Sequence, residues 1–375
     1  MTKFNKCVTK LFCFLFTTIS CVSVASDEAD RMHVVFLNPA HPNDWFWSMT
    51  TDFMQASAED LGIEFEVIYS NRNHKKVVRQ AKEVVNRETP PDYILTGNEK
   101  GSAGGVIEVA ESAGVKVFLF NNPFVSKSDR AHFGQPRDKY VMWIGQYSVN
   151  NFFAGYKMGE ALIKQGIEKN LFAPDKTLHI VAISGSRNTH ASSARVAGLE
   201  AVIGAYSERA KLLQVVSSDW SEKNAYDKTK RLLTRYKHIG AVWGANDSIA
   251  LGAIKAAEEF GKVPGKDMIF AGCGWSEKGI NKVKEGVLAT TVGGHFMDGA
   301  WSLVMLYDYH YGYDFTRNTM NSDMHSIERH NAESFIEYFG FRDWSRIDFL
   351  RFSKKHNPTM KRYDFSLETV LEQLN

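Results

Sequence analysis

Cysteine is scarce in this chain of 375 residues: there are four, and three of them, Cys7, Cys13 and Cys21, fall in the first 25 positions. There Lys3, Lys6 and Lys10 precede an apolar run over 11–19, and Ser23-Val24-Ala25 fits the small-x-Ala cleavage pattern, which predicts a secretory signal removed after Ala25. An uncleaved anchor is disfavoured because the run is too short to span a bilayer. Lipidation at Cys21 is the other alternative, although Thr18 stands where such a site has Leu. Removal of the leader leaves Cys273 alone, so an exported chain has no internal disulfide and needs a large core. No other apolar run reaches the ~18 residues of a spanning helix.

Other absences narrow the chemistry. The twelve histidines include no H-x-x-x-H pair, and with one cysteine left there is no metal-ligand spacing and no cofactor signature. Gly97, Gly101, Gly104 and Gly105 match neither phosphate-loop pattern, which argues against nucleotide binding. Gly185-Ser186 lacks the second glycine of a nucleophile elbow, so His190 and Asp219 assemble no triad and the chain reads as a non-enzyme. Loss of the three leader lysines takes 45 basic residues to 42 against 43 acidic, about −1. That near-neutral balance argues against nucleic acid as a partner.

What is present is a regular alternation. Residues 239–244 form a short apolar run ending in Gly-Ala-Asn-Asp, followed by apolar residues at helical spacing (Ile249, Ala250, Ala253, Ile254, Ala257, Phe260), a Gly261/Pro264 stop and a second run over 268–271. This predicts strand, helix, strand, hence a parallel sheet with right-handed crossovers. The same rule gives strands at 33–37, 65–69, 93–96, 115–120 and 141–144, then 178–183, 212–217 and 287–292, with helices between them at a βα period of roughly 30 residues. The stretch 126–139 reads as a polar excursion. From 313 onward the alternation fades into a polar, aromatic tail with a final helix at 367–374. The fold class is α/β with two Rossmann-like lobes, each with a parallel sheet.

In such sheets ligands sit beyond the carboxyl ends of the strands, so the candidate site residues are the polar and aromatic ones there. Asp44 is a helix N-cap candidate before three consecutive aromatics, and Asp247 serves as N-cap, as ligand, or as both. Asn246 is the better ligand candidate of that pair. Arg195 is either a solvated arginine or a ligand. Trp45, Trp47, Trp220 and Trp275 lie in loops, which suits lining a crevice better than filling a core. Aromatic faces beside amides and an arginine suit a polyol with apolar CH faces.

These residues resemble the exported type I periplasmic binding proteins for sugars, kin to the ligand domains of LacI-type repressors. The stretch 241–253, AVWGANDSIALGA, is similar to the family's AVFA-x-ND-x-x-ALGA pattern; 193–199 resembles its arginine-x-x-glycine helix start, and 43–47 its Asn-Pro-Phe-Phe/Trp loop. The resemblance implies a hinge between two lobes, with chain crossings near 144–148, near Gly293 and in the tail. It implies a leader over 1–25, an N-terminal lobe over 26–146, a C-terminal lobe over 147–293, a return over 294–322, and a hinge crossing with an extension over 323–375. By family role Phe46, Trp47 and Trp220 would sandwich a sugar, and Asn43, Asn98, Asn121, Asn122, Arg195 and Asn246 would bond its hydroxyls; Trp45, Asp247, Trp275 and His295 are the further ligand candidates, from their place at the strand ends. Three departures stand out: Cys273-Gly274-Trp275 replaces a Phe-Asp-Gly carboxylate, Asn121-Asn122 an aspartate-arginine pair, and Gly294-His295 a usual glutamine. The glycine-tryptophan change resembles the autoinducer-2 receptor branch. The resemblance thus implies a monomeric, non-enzymatic receptor in the periplasm that delivers a sugar or sugar-like molecule to a membrane ABC permease, or alternatively presents its closed form to a membrane sensor protein.

Overall fold

The computed structural model describes residues 31–124, 126–187, 189–315, 320–340 and 342–374. The leader, its cleavage point and Cys21 lie outside them. One lobe begins with β1 (His33–Asn38), β2 (Glu64–Tyr69), β3 (Tyr93–Thr96), β4 (Lys116–Asn121) and β5 (Trp143–Val149), linked by α1 (Trp45–Leu61), α2 (His74–Val85), α3 (Ala103–Ala113) and α4 (Lys127–Phe133). The second opens with α5 (Asn151–Glu168). It then alternates β6 (Leu178–Ser184), α6 (His190–Ala205), β7 (Ala210–Ser217), α7 (Glu222–Arg235), β8 (Ala241–Gly244), α8 (Asp247–Glu259), β9 (Ile269–Cys273), α9 (Glu277–Lys284) and β10 (Leu288–Gly293). After it come α10 (Asp298–His310), β11 (Met320–Ser322), β12 (His325–Ile327), α11 (Ala332–Phe339) and α12 (Leu367–Leu374).

The sheet orders are β11-β5-β4-β3-β1-β2 and β12-β10-β9-β8-β6-β7. The central strands of each are parallel, and only β12 runs antiparallel to its neighbour. The two orders are the same pattern, so the alternation read from the sequence is an architectural repeat. It follows that all the βα loops of a lobe emerge on one edge.

Local chemistry sets the elements. Asp44 caps α1 by accepting from the Trp47 amide at 3.3 Å, and Gly62 ends the helix at φ 65°, a left-handed position a side chain would strain. Thr50, Phe53, Met54, Ser57, Ala58 and Leu61 form its buried face at helical spacing. Phe53 meets Phe296 and Trp301 edge-on at 5.3 and 5.6 Å, joining α1 to α10 and the short turn before it. Between α5 and α6 the backbones nearly touch: a Cβ on Gly198 would lie 2.0 Å from the Phe152 carbonyl oxygen, and one on Gly155 1.9 Å from that of Arg195.

At three places the structure adds detail to the expectations. β5 lies wholly in the first sheet through Val149, so the chain leaves that lobe after Val149, directly beyond the stretch 144–148. The polar excursion contains α4, capped by Ser126, whose hydroxyl accepts from the Asp129 amide at 3.0 Å; seven residues with no buried face leave too little periodicity to read. β11 joins the first sheet and β12 the second, α11 packs on α9, and the chain then returns to α1, where Trp344 and Phe349 sit 5.2 and 5.1 Å from Phe53. Phe365 stacks on Trp301 at 4.9 Å. Among the described residues no helix is long and apolar enough to cross a membrane.

Candidate functional site

The carboxyl ends of both sheets face one cavity of about 110 Å³. One wall, from the first lobe, brings Asp44 to Trp47 after β1, Arg72 after β2, Glu99 after β3 and Asn121-Asn122 after β4. The other brings Arg195, Trp220, Asn246-Asp247 and Cys273-Gly274, with His295 following β10. Of the lining residues Arg72, Asn121 and Trp220 have φ of 61°, 64° and 72°. Non-glycine backbone of this kind costs energy and gathers where side chains must be aimed.

Arg195 is the best-fixed group. It is 4% exposed, donates from Nε to Asn151 Oδ1 at 2.9 Å and from Nη1 to the Ala245 carbonyl at 2.8 Å, and points Nη2 at His295 Nε2, 3.4 Å away. Of five N–H donors, two remain for the cavity. Because an arginine only donates, Nε2 of His295 accepts and its proton sits on Nδ1. Burial, and then the Arg195 charge, hold the His295 pKa well below its usual range, so this ring stays neutral. Phe46 stacks on it at 4.5 Å, bringing a first-lobe aromatic against the crossing segment.

The helix cap falls to Asn246 and not to Asp247. Asn246 is the N-cap, its Oδ1 accepting from the Ile249 amide at 2.8 Å, while Nδ2 donates to the Trp220 carbonyl at 3.3 Å. Asp247 is the first helical residue, and both of its oxygens are used internally: Thr291 donates to one and the Ser276 amide to the other, each at 2.7 Å. Burial nonetheless raises its pKa. The carboxylate therefore braces the ends of β8, β9 and β10 before it is free to meet a ligand.

The structure brings Trp45, Phe46, Trp47, Asn121, Asn122, Arg195, Trp220, Asn246, Asp247 and His295 to the cavity, and leaves three candidates outside it. Asn43 is exposed on the loop after β1, and Asp44 lines the cavity in its place. Asn98 lines a neighbouring groove, its Oδ1 accepting from the Ala103 amide at 3.2 Å. Trp275 is core: its Nε1 donates to the His325 carbonyl at 3.1 Å, and Phe335 and Phe339 pack on it at 4.8 and 5.7 Å. Trp47, although at the cavity, is 5% exposed and leans on Phe36 and Phe120.

Sequence reasoning missed Arg72, Glu99, Thr189 and Cys273 as lining residues. Arg72 could have been found by the strand-end rule, since it follows β2 by three positions. Glu99 lay within the glycine loop weighed for phosphate. Burial pushes the Cys273 thiol up to about 11, which makes it a packing group here and not a nucleophile. Among the described residues no group of three or more His, Cys, Asp or Glu converges as a metal site.

The family description "periplasmic binding protein domain" matches residues 34–312. The chain belongs to the periplasmic binding protein family. Within that family it is 22% identical over 278 residues to the ribose import binding protein of Salmonella typhimurium, covering 74% of this chain and 82% of the relative. It is 24% identical over 261 residues to the D-apiose import binding protein of Actinobacillus succinogenes, covering 70% and 74%. A periplasmic sugar-binding protein of known structure from Pseudomonas fluorescens superposes with a TM-score of 0.80 at 31% identity, covering 91% of this chain and 99% of the other. These periplasmic binding proteins are named for binding or import, not for catalysis.

Proposed function

We propose that this chain is a periplasmic receptor that captures a monosaccharide-sized polyol in the cavity between its lobes and delivers it to an ABC permease, without chemical turnover. One observation carries the reading: strand ends of both lobes meet at one cavity that pairs aromatic faces (Phe46, Trp220) with a fixed guanidinium and amides. Rings pack on the CH face of a sugar while forked donors take its hydroxyls. Relatives named for ribose and D-apiose import support the same ligand class, and the leader pattern over 1–25 supports export. Because ligand contacts would come from both walls, binding favours the closed arrangement by the difference in contacts between the two states.

A few charge-assisted hydrogen bonds of ~1.5 to 3 kcal/mol each suffice for micromolar affinity or better. The test is a panel of D-ribose, D-allose, D-apiose, L-arabinose and myo-inositol, screened by thermal shift and then calorimetry. At least one should bind, and Arg195→Ala and Trp220→Ala should each weaken it tenfold or more. Absence of any carbohydrate hit, or conversion of a hit by the protein alone, would sink the reading.

A further inference from the structure

The charged groups of the cavity are matched within the protein, with one exception. Asp44 pairs with Arg72, Arg195 holds Asn151, the Ala245 carbonyl and His295, and Asp247 holds Thr291 and Ser276. Glu99 lines the same cavity and is 5% exposed, yet its carboxyl has no hydrogen bond or ion pair among the described residues. A buried carboxylate without a partner is costly, and the backbone is built to hold it there. Glu99 sits on a single turn after β3 in which Lys100 takes φ 51°. That turn is pinned by the Asn98 amide donating to the Asn122 carbonyl at 2.6 Å and the Ser102 amide donating to the Glu99 carbonyl at 3.1 Å.

We infer that Glu99 is a specificity-determining ligand residue that accepts from two adjacent hydroxyls of a neutral polyol. The inference rests on the receptor reading above and adds the group that selects the ligand. Two carboxyl oxygens side by side match two vicinal O–H donors. An ammonium is the poorer match, because Arg72 and Lys100 set positive charge beside the carboxyl while Asp44 alone adds negative. Burial raises the Glu99 pKa, with Arg72 and Lys100 pulling it back, which fits an acceptor awaiting its donors.

The experiment uses the panel above together with D-glucosamine as an ammonium probe, on the wild type and Glu99→Gln. Gln keeps the volume and removes the charge. The expected result is a ten- to hundredfold loss of affinity for each neutral hit, alongside an unchanged or raised melting temperature of the ligand-free protein. A residue held for structure would instead lower that melting temperature. Monodeoxy analogues of each hit supply the second readout: the analogue that binds wild type more weakly should bind Glu99→Gln no more weakly than its parent sugar does. Binding by Glu99→Gln within twofold of wild type overturns the inference and leaves the receptor reading standing, as does tighter binding of D-glucosamine than of the neutral hits. Failure of the whole panel on wild type removes both.

Discussion

The position of Arg195 depends on glycine, and a paired substitution on one helix tests that dependence. Gly198 lies three residues after Arg195 on α6, facing α5. A Cβ there would sit 2.0 Å from the Phe152 carbonyl oxygen and 2.7 Å from the Tyr156 amide, and contacts below 3.0 Å do not occur. Since both neighbours are backbone, no rotamer change relieves the clash, and α6 must retreat from α5 by about 1 Å. The Arg195–Asn151 bond of 2.9 Å spans that same gap and would stretch beyond hydrogen-bond range. Overpacking of this kind costs about 1 to 3 kcal/mol, and loss of a buried charge-assisted bond about 1.5 to 3 more. Gly198→Ala is therefore expected to lose about 2.5 to 6 kcal/mol in urea unfolding. It should also weaken the best carbohydrate hit tenfold or more, as the guanidinium moves off its mark. Gly204, near the end of the same helix, has nothing within 4 Å of its would-be Cβ. Gly204→Ala should leave binding alone and stabilise by about 0.4 to 1 kcal/mol. If Gly198→Ala matched Gly204→Ala in either measurement, the claim that α5–α6 contact places Arg195 would be wrong.

Three further outcomes follow from buried groups. Burial raises the Asp298 carboxyl well above its usual value of 3.8. Between that value and the folded one, the unfolded chain has released a proton that the folded chain keeps, so stability falls as pH rises. Asp298→Asn, which can still accept from Ser322 (2.9 Å in the wild type), should gain stability relative to wild type as pH goes from 4 to 8; parallel stability curves would refute this. With its pKa near 11, Cys273 should be about 0.1% thiolate at pH 8 against roughly a quarter for a free thiol. In a chain starting at Ser26 its alkylation by iodoacetamide should be at least a hundredfold slower than that of free cysteine, and rapid alkylation of the folded protein would contradict the burial. Trp344, 4% exposed, meets Phe53, Phe296 and Phe339 at 5.2, 5.6 and 6.0 Å. Trp344→Ala should cost about 3 to 5 kcal/mol in denaturant unfolding, whereas a loss below 1 kcal/mol would mean that the extension is not part of the core.

The fold was legible because βα units write themselves as short apolar runs broken by capped, amphipathic helices, and α12 over 367–374 coincides with the expected final helix. The strand-end rule led to the cavity for the same reason. It could not separate Asn246 from Asp247, since both residue types cap helices and the choice rests on Thr291 and Ser276, 44 and 29 residues away. Nor could it tell Trp275 from Trp220. Both follow a strand at positive φ, but whether each faces the cavity or the core depends on what packs behind it. β11 and β12 are three residues each, too short to carry a period, so the tail looked featureless although it contributes to both sheets.

One of the three departures, the missing carboxylate after β9, and the length of the tail have one physical cause. Gly274 takes φ 134°, and the residue after it is turned away from the cavity. There Trp275 becomes the platform on which Phe335 and Phe339 of α11 dock, and its indole N–H fixes the β12 segment through His325. An aspartate at that bend could reach ligand but could not anchor an aromatic helix. The chain beyond α11 then crosses to the first lobe, where Arg342 bonds Asp52 at 3.2 Å and lies over Trp45 at 5.6 Å, so the extension backs the aromatic wall of the cavity as well as the bend opposite it. With the second lobe's carboxylate position given to docking, the unmatched acceptor of the cavity is on the first lobe, at Glu99. A ligand held that way would engage Glu99 and Phe46 on one lobe before Arg195 and Trp220 on the other, and loss of Glu99 should therefore slow capture, while loss of Arg195 should speed release. Stopped-flow tryptophan fluorescence on Glu99→Gln and Arg195→Ala separates the two, and equal effects on the association rate would refute this order of engagement.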